Sequence, residues 1–114
     1  MAEWEVFLTS DAEHDVESIC DYIQVHDSTS SAEHVFERIK KAILSLRTAP
    51  SRGRSIPELR TLGVSEYREL FSKPYRILYF IERRRVFVFA AFDGRRDVDE
   101  LLQRRLLGSG WRES

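Results

Sequence analysis

An α+β fold is predicted for this 114-residue chain, built as an N-terminal strand, an antiparallel helical hairpin, a three-stranded antiparallel meander and a C-terminal helix. Three observations predict it. Apolar residues recur at helical spacing in two successive segments between Ser10 and Leu46. Three short runs rich in aromatic and β-branched residues follow between Tyr67 and Phe92, separated by turn-forming pairs. A last helical pattern opens at Asp97. At this length the chain is expected to form one domain, 1–114, around a modest core.

Trp4, Val6 and Leu8 alternate with Glu5 and Phe7, which suits an opening strand. Ser10 with Glu13 reads as a capping box for the first helix, whose buried stripe is Ala12, Val16, Ile19, Cys20 and Ile23. Ser30 with Glu33 reads as the next cap, and Ala32, Val35, Phe36, Ile39, Ile43 and Leu46 mark a second helix that must end before Pro50. Residues Ala49 to Glu66 read as a loop broken by Gly53, Pro57 and Gly63, with Arg52, Arg54 and Arg60 exposed. Strands are expected near Tyr67–Phe71, Tyr75–Ile81 and Val86–Phe92, with turns at Lys73-Pro74 and Arg83-Arg84. Val86 to Phe92 contains no polar residue, so it is expected to be a central strand covered on both faces. Asp97 caps the last helix, with Glu100 in the capping-box position and Val98, Leu101, Leu102 and Leu106 on one side. The tail SGWRES is expected to fray. The order β-α-α-β-β-β-α implies helices on one face of a largely antiparallel sheet.

Composition narrows the function. No apolar run approaches the ~20 residues that span a membrane, and MAEWEVF lacks the basic start and apolar stretch of a secretory signal. A lone cysteine, Cys20, excludes an internal disulfide framework, so a cytoplasmic protein is expected. The net charge of −1 conceals a polarity: residues 1–37 hold ten Asp or Glu and no Lys or Arg, whereas residues 38–114 hold 18 Lys or Arg against nine Asp or Glu. Only Lys40, Lys41 and Lys73 of those cations are lysines. Such a distribution steers an anionic partner despite a near-neutral total.

The candidate constellation is Arg68 on the first meander strand, Arg76 on the second, and Arg95-Arg96 after the third. If the strands pair as neighbours, Arg68 and Arg76 are expected to share a face and to converge with an arginine after Gly94. Fixed guanidinium forks match phosphate geometry and stabilise charge developing on a scissile phosphate. Arginine stays protonated, so a general acid or base has to come from Glu69, Asp93, Tyr75 or Tyr79. The competing reading pairs these arginines with Glu66, Glu69, Glu82 and Asp97 on a solvated sheet face, or with an acidic protein segment. His14, His26 and His34 lack partners at metal-ligand spacing, and Cys20 falls in a buried stripe, so neither a metal nor a thiol nucleophile is expected. No phosphate-binding glycine loop, dinucleotide fingerprint or nucleophile elbow is present, and no cofactor is expected.

The segments YRELF, PYRILYFI and VFVFAAFDGRRD, preceded by two helices and by GRSIPEL, resemble the RelE/ParE superfamily of bacterial type II toxin–antitoxin systems over about Trp4 to Leu107. The resemblance implies a compact α+β toxin neutralised by a cognate antitoxin that covers its active face. It also implies one of two activities. RelE-like members cleave mRNA in the ribosomal A site with basic residues of the sheet; ParE-like members poison DNA gyrase and have no established catalytic residues. On the ribonuclease pattern, Arg76 matches a basic catalytic residue of the middle strand, Arg96 the arginine after the last strand, and Arg68 a position held by lysine. Leu70 stands at a second lysine position and Leu102 at a tyrosine of the closing helix, and the histidine of another ribonuclease branch has no counterpart. The first expectation is therefore a toxin that cleaves translated mRNA, with Arg68, Arg76 and Arg96 on the phosphate and Lys73, Tyr75 and Arg95 contacting substrate or antitoxin. The alternatives are a gyrase inhibitor and a non-toxic antitoxin-binding member. An acidic or amphipathic antitoxin segment is expected over the Arg68/Arg76/Arg96 face or in the groove beside helix 97–107.

Overall fold

The computed structural model describes residues 3–108; the tail SGWRES, apart from its place in the sequence, lies outside them. The elements are β1 (Glu5–Leu8), α1 (Ser10–His26), α2 (Thr29–Leu44) continued by a 3-10 turn at Ser45–Arg47, β2 (Arg54–Ser55), α3 (Pro57–Arg60), β3 (Tyr67–Ser72), β4 (Tyr75–Glu82), β5 (Arg85–Asp93) and α4 (Val98–Gln103), which runs into a π-helical turn at Arg104–Gly108. The five strands form one sheet in the order β1-β5-β4-β3-β2. The meander is antiparallel as expected, and β1 joins it parallel to β5.

Two local expectations shift. The helix caps are Thr9, whose hydroxyl accepts from the Ala12 amide at 3.1 Å, and Ser28, which accepts from Ser31 at 3.0 Å. Both lie upstream of Ser10 and Ser30, because a cap needs extended backbone and an oxygen two or three residues before a free amide. The expected loop 49–66 is not wholly irregular: Arg54–Ser55 pairs with Arg68–Glu69 of β3, and α3 starts with Pro57 at its first turn, where a missing N–H costs nothing. Asp97 caps α4 as expected, accepting from the Asp99 amide at 3.1 Å.

The helices do not all lie on one face of the sheet. Alternate residues of β4 and β5 feed two separate cores. Ile77, Tyr79, Val86, Val88 and Ala91 pack with Ala12, Val16, Ile39 and Ile43 of the α1–α2 hairpin. Leu78, Phe80, Phe89, Ala90 and Phe92 pack with Ile56 and Leu59 near α3 and with Val98, Leu101 and Leu102 of α4. The reason is the polar-free strand itself: with apolar side chains on both faces of β5, a single helical layer would leave Phe89 and Phe92 in water. A bulge between Leu78 and Tyr79 of the β4–β5 ladder seats both sets.

Pairing of β1 with β5 stops at Leu8↔Val88, which leaves main-chain groups of β5 beyond it without a strand partner. Side chains supply one. Asp15 of α1 accepts from the Ala91 amide at 3.0 Å, and Arg105 donates to the Phe89 carbonyl at 2.8 Å. The two side chains also meet each other through paired bonds of 2.8 and 2.7 Å. The first helix and the C-terminal segment are thereby fastened across the same stretch of β5.

Gly53 is required by close approach. A Cβ there would lie 2.5 Å from the Tyr79 hydroxyl and 2.6 Å from the Glu69 carbonyl. Tyr79, fully buried, donates its hydroxyl to the Pro50 carbonyl at 2.7 Å and accepts from the Gly53 amide at 2.9 Å, so it anchors the segment entering β2. Tyr79→Phe removes both bonds and strands two main-chain groups. Urea unfolding of that variant is expected to show a loss of ~1–3 kcal/mol; an unchanged midpoint would contradict the anchoring role.

Candidate functional site

Strand register decides which candidate residues meet. In β3 and β4, Phe71 pairs with Arg76 and Glu69 with Leu78, while Arg68 pairs with Tyr79. Cross-strand partners share a face. Arg76 therefore points to the α3–α4 side and Arg68 to the side of the helical hairpin, and the expected convergence of the two on one face does not occur. The cause is the period of two: the β3 partner of Arg76 is Phe71, three residues from Arg68, and an odd offset along a strand changes face.

Arg76 is only 7 % exposed. Its Nε donates to Glu69 Oε1 at 2.7 Å, its Nη1 and Nη2 donate to the two Glu58 oxygens at 3.1 and 3.0 Å, and its guanidinium lies 5.6 Å from the Phe92 ring centroid. Nη2 also contacts Glu69 Oε1. Glu69 is buried, and its second oxygen accepts from Arg54 Nε at 2.7 Å; Arg54 in turn lies over the Phe71 ring. Two cations and two carboxylates thus form one formally neutral chain, Arg54–Glu69–Arg76–Glu58. Burial works against the charged form of Arg76, yet its bonds to Glu58 and Glu69 outweigh that and raise its pKa. The same bond to Arg76 lowers the pKa of Glu58. Gly94 presses on this group from the loop after β5: a Cβ there would sit 3.3 Å from the Arg76 side-chain carbons.

The other candidates are spread around this cluster. Arg68 donates from Nη1 to the carbonyls of Ser51 and Gly53 at 3.4 and 2.8 Å. Arg96 is exposed in the β5–α4 loop, its amide bonded to the Asp93 carbonyl at 3.0 Å. Arg95, also exposed, pairs with Asp93 through Nε and Nη2 at 2.9 and 2.5 Å. Lys73 is exposed in the β3–β4 turn, where the Lys73–Pro74 peptide is cis, and Tyr75 is half-buried at the start of β4.

None of the candidate proton-transfer groups is placed to serve as a general base. Glu69 is enclosed between two guanidinium groups. Asp93 is held down to about 2 by its side-chain bond to Arg95. Burial pushes both Tyr75 and Tyr79 up, and the Tyr79 hydroxyl is committed to Pro50 and Gly53. A general base works best with a pKa near the working pH. Chemically, the arrangement is suited to holding α3 and β2 against the sheet rather than to moving a proton. Among the described residues, no group of three His, Cys, Asp or Glu is placed to hold a metal ion, and no helix is long and apolar enough to cross a membrane.

Sequence reasoning missed Glu58 and Arg54, the outer members of the chain. The available signal was Pro57 followed by an acidic residue, a common opening for a helix. Beside the cluster, Leu59, Leu62, Val64, Tyr67, Leu102 and Leu106 line an apolar groove between α3 and α4. This is the groove beside helix 97–107 anticipated from the chain.

Residues 6–98 match the family model of the ParE toxin of type II toxin–antitoxin system, parDE. Two solved structures share the fold. One is from the chromosomal ParDE toxin–antitoxin system of P. aeruginosa, at 16 % identity and a TM-score of 0.66, covering 79 % of this chain and 95 % of that one. The other is from the toxin–antitoxin complex RelBE2 of Mycobacterium tuberculosis, at 21 % identity and a TM-score of 0.56, covering 82 % and 93 %. No curated protein sequence matches.

Two outcomes follow from the ion cluster. Arg76→Ala leaves the buried Glu69 carboxylate with Arg54 alone and removes both bonds to Glu58, and chemical denaturation is expected to report a loss of ~3–5 kcal/mol. The second concerns acid. Because the folded-state pKa of Glu58 lies below its ordinary 4.5, its stabilising contribution is fully present above that value and disappears as pH falls through the folded one. The stability gap between wild type and Glu58→Gln should therefore be widest near neutrality and close below pH 4.5; a gap that widened on acidification would contradict the pairing.

Proposed function

This chain belongs to the ParE toxin family of type II toxin–antitoxin systems, and we propose that it arrests growth by engaging DNA gyrase rather than by cutting mRNA. The observation that carries this reading is the state of Arg76. A cation that is to stabilise a scissile phosphate has to face the substrate with its charge uncompensated. Arg76 is instead buried and shared between Glu69 and Glu58. Arg68 extends from the opposite face, and Leu70 and Leu102 occupy positions where the ribonuclease pattern has lysine and tyrosine.

Toxicity then comes from binding. In this reading the outer surface supplies it, and exposed Arg96, Lys73, Arg95 and half-buried Tyr75, grouped around the ends of β4 and β5, are its first candidate contacts. Gyrase is the proposed target because it is what the ParE-like branch is expected to act on. A cognate antitoxin is the second partner. Both solved relatives come from toxin–antitoxin systems, and the groove lined by Leu59, Leu62, Tyr67, Leu102 and Leu106 offers an amphipathic segment an apolar seat. Action on gyrase and neutralisation by an antitoxin both belong in the cytoplasm.

The test is brief induction without antitoxin, read two ways in the same cells. Induction of a DNA-damage reporter, with gyrase-dependent DNA breaks accumulating and translated mRNA intact by primer extension, is the expected result. New mRNA ends inside translated codons, abolished by Arg96→Ala, would replace this reading with the ribonuclease one. Growth that continues despite folded toxin would make the chain a non-toxic member.

A further inference from the structure

The arginines of this protein divide by what holds them. Arg47, Arg54, Arg76, Arg85, Arg95, Arg104 and Arg105 each meet a carboxylate. Arg52, Arg60 and Arg68 are held by neutral acceptors, Arg60 of α3 by Ser55 Oγ at 3.2 Å, apart from the other two. Arg68 donates to the carbonyls of Ser51 and Gly53, the residues on either side of Arg52, and Arg52 donates from Nη1 to Ser45 Oγ at 2.7 Å. Their guanidinium groups are thus positioned without being neutralised. Two cations fixed this way, one in the segment before β2 and one on β3 against it, differ from a solvated charge cluster, whose members sway freely.

The row continues along α2. Arg38 and Lys41 precede Ser45 by seven and four residues, so the three positions lie on one stripe of the helix, with neighbours ~5–6 Å apart. Both side chains are exposed. Neither forms an ion pair among the described residues, and Glu37, the acidic neighbour on α2, forms none either. Arg38, Lys41, Arg52 and Arg68 therefore make a line of four cations that form no ion pair among the described residues, running from α2 to β3, with Glu37 beside its α2 end. Exposed Ser51 lies beside Arg52, whereas the Ser45 and Thr48 hydroxyls are spent on the Ala42 and Ser45 carbonyls. One exposed apolar residue, Leu44, flanks the α2 end of the line beside Arg38 and Lys41. A single leucine at one end is not the desolvated apolar centre that a peptide interface draws on, whereas spaced cations are what a phosphate backbone needs.

We propose that this row is a binding surface for the phosphate backbone of duplex DNA, used without base-specific contacts. It lies apart from the Arg76 cluster and from the apolar groove, so the toxin has room to touch DNA while other surfaces engage a protein. On the gyrase reading, it would let the toxin contact the DNA that gyrase holds. The inference is nonetheless tested on the isolated toxin, so its failure leaves that reading standing.

The experiment is fluorescence anisotropy of a labelled duplex of ~20 base pairs, titrated with full-length toxin at several salt concentrations. Four phosphate contacts predict a slope of log K against log salt of about −3 to −4. The exposed pair Lys41→Ala/Arg52→Ala should lower affinity at least tenfold and reduce the slope by about 2. Arg83→Ala/Arg84→Ala removes the same charge from the β4–β5 turn and should leave both quantities near wild type. Circular dichroism confirms that each variant is folded. Absence of salt-dependent binding by wild type overturns the proposal. So does an equal loss from both pairs, which would indicate net charge alone. If DNA does not bind but Lys41→Ala/Arg52→Ala weakens the antitoxin complex, the row is a protein contact and the proposal also falls.

Discussion

Arg76 sits between two carboxylates, and much of the molecule is arranged around that fact. The guanidinium reaches Glu69 on the neighbouring strand and Glu58 on α3, and Glu69 reaches on to Arg54 of β2. One buried cation therefore ties β4, β3, α3 and β2 together. Buried ion pairs contribute little net stability compared with apolar packing, but they impose register, because a misplaced partner leaves a charge stranded. Here the register concerns a two-residue strand and a one-turn helix, neither of which has enough apolar area to fix its own place. The Tyr79 anchor on Pro50 and Gly53 secures the same segment from the other face of the sheet.

A second constraint is the polar-free β5. Covering both of its faces demands helices on both sides, and the two sides then have to be joined at the margin where β1 ends. Asp15 and Arg105 make that join, and they satisfy the Ala91 amide and the Phe89 carbonyl in the process. Packing and hydrogen bonding thus agree on where the C-terminal segment runs. Its apolar stripe is left to form one wall of the groove with α3.

Much of this was legible in the chain. The helical hairpin, the meander, its two turns and the Asp97 cap follow from local patterns, and the buried character of β5 follows from its composition. Family membership was also readable from the ordered set YRELF, PYRILYFI and VFVFAAFDGRRD. Parallel pairing of β1 with β5 was not, since a four-residue strand carries no signal for its partner. Nor was the fate of the arginines. Arg68 and Arg76 look equivalent as residues, yet pairing places one on main-chain carbonyls and the other in a closed ion cluster. That difference depends on register and on Glu58, which lies in a stretch that reads as loop. Helices on one face was the wrong inference for a related reason: element order does not say to which side of a sheet a terminal helix crosses.

On the proposed reading, the Arg76 cluster is architecture and takes no part in poisoning the cell. It is tested most directly by replacing its buried core with apolar residues of similar size, Arg76→Met with Glu69→Leu, and measuring growth arrest per molecule of folded, antitoxin-free protein. Removing both partners avoids stranding a buried charge, so the double variant should stay folded where Arg76→Ala is weakened. Undiminished arrest is expected. A folded double variant that no longer arrests growth would contradict it and return Arg76 to the chemistry of the toxin.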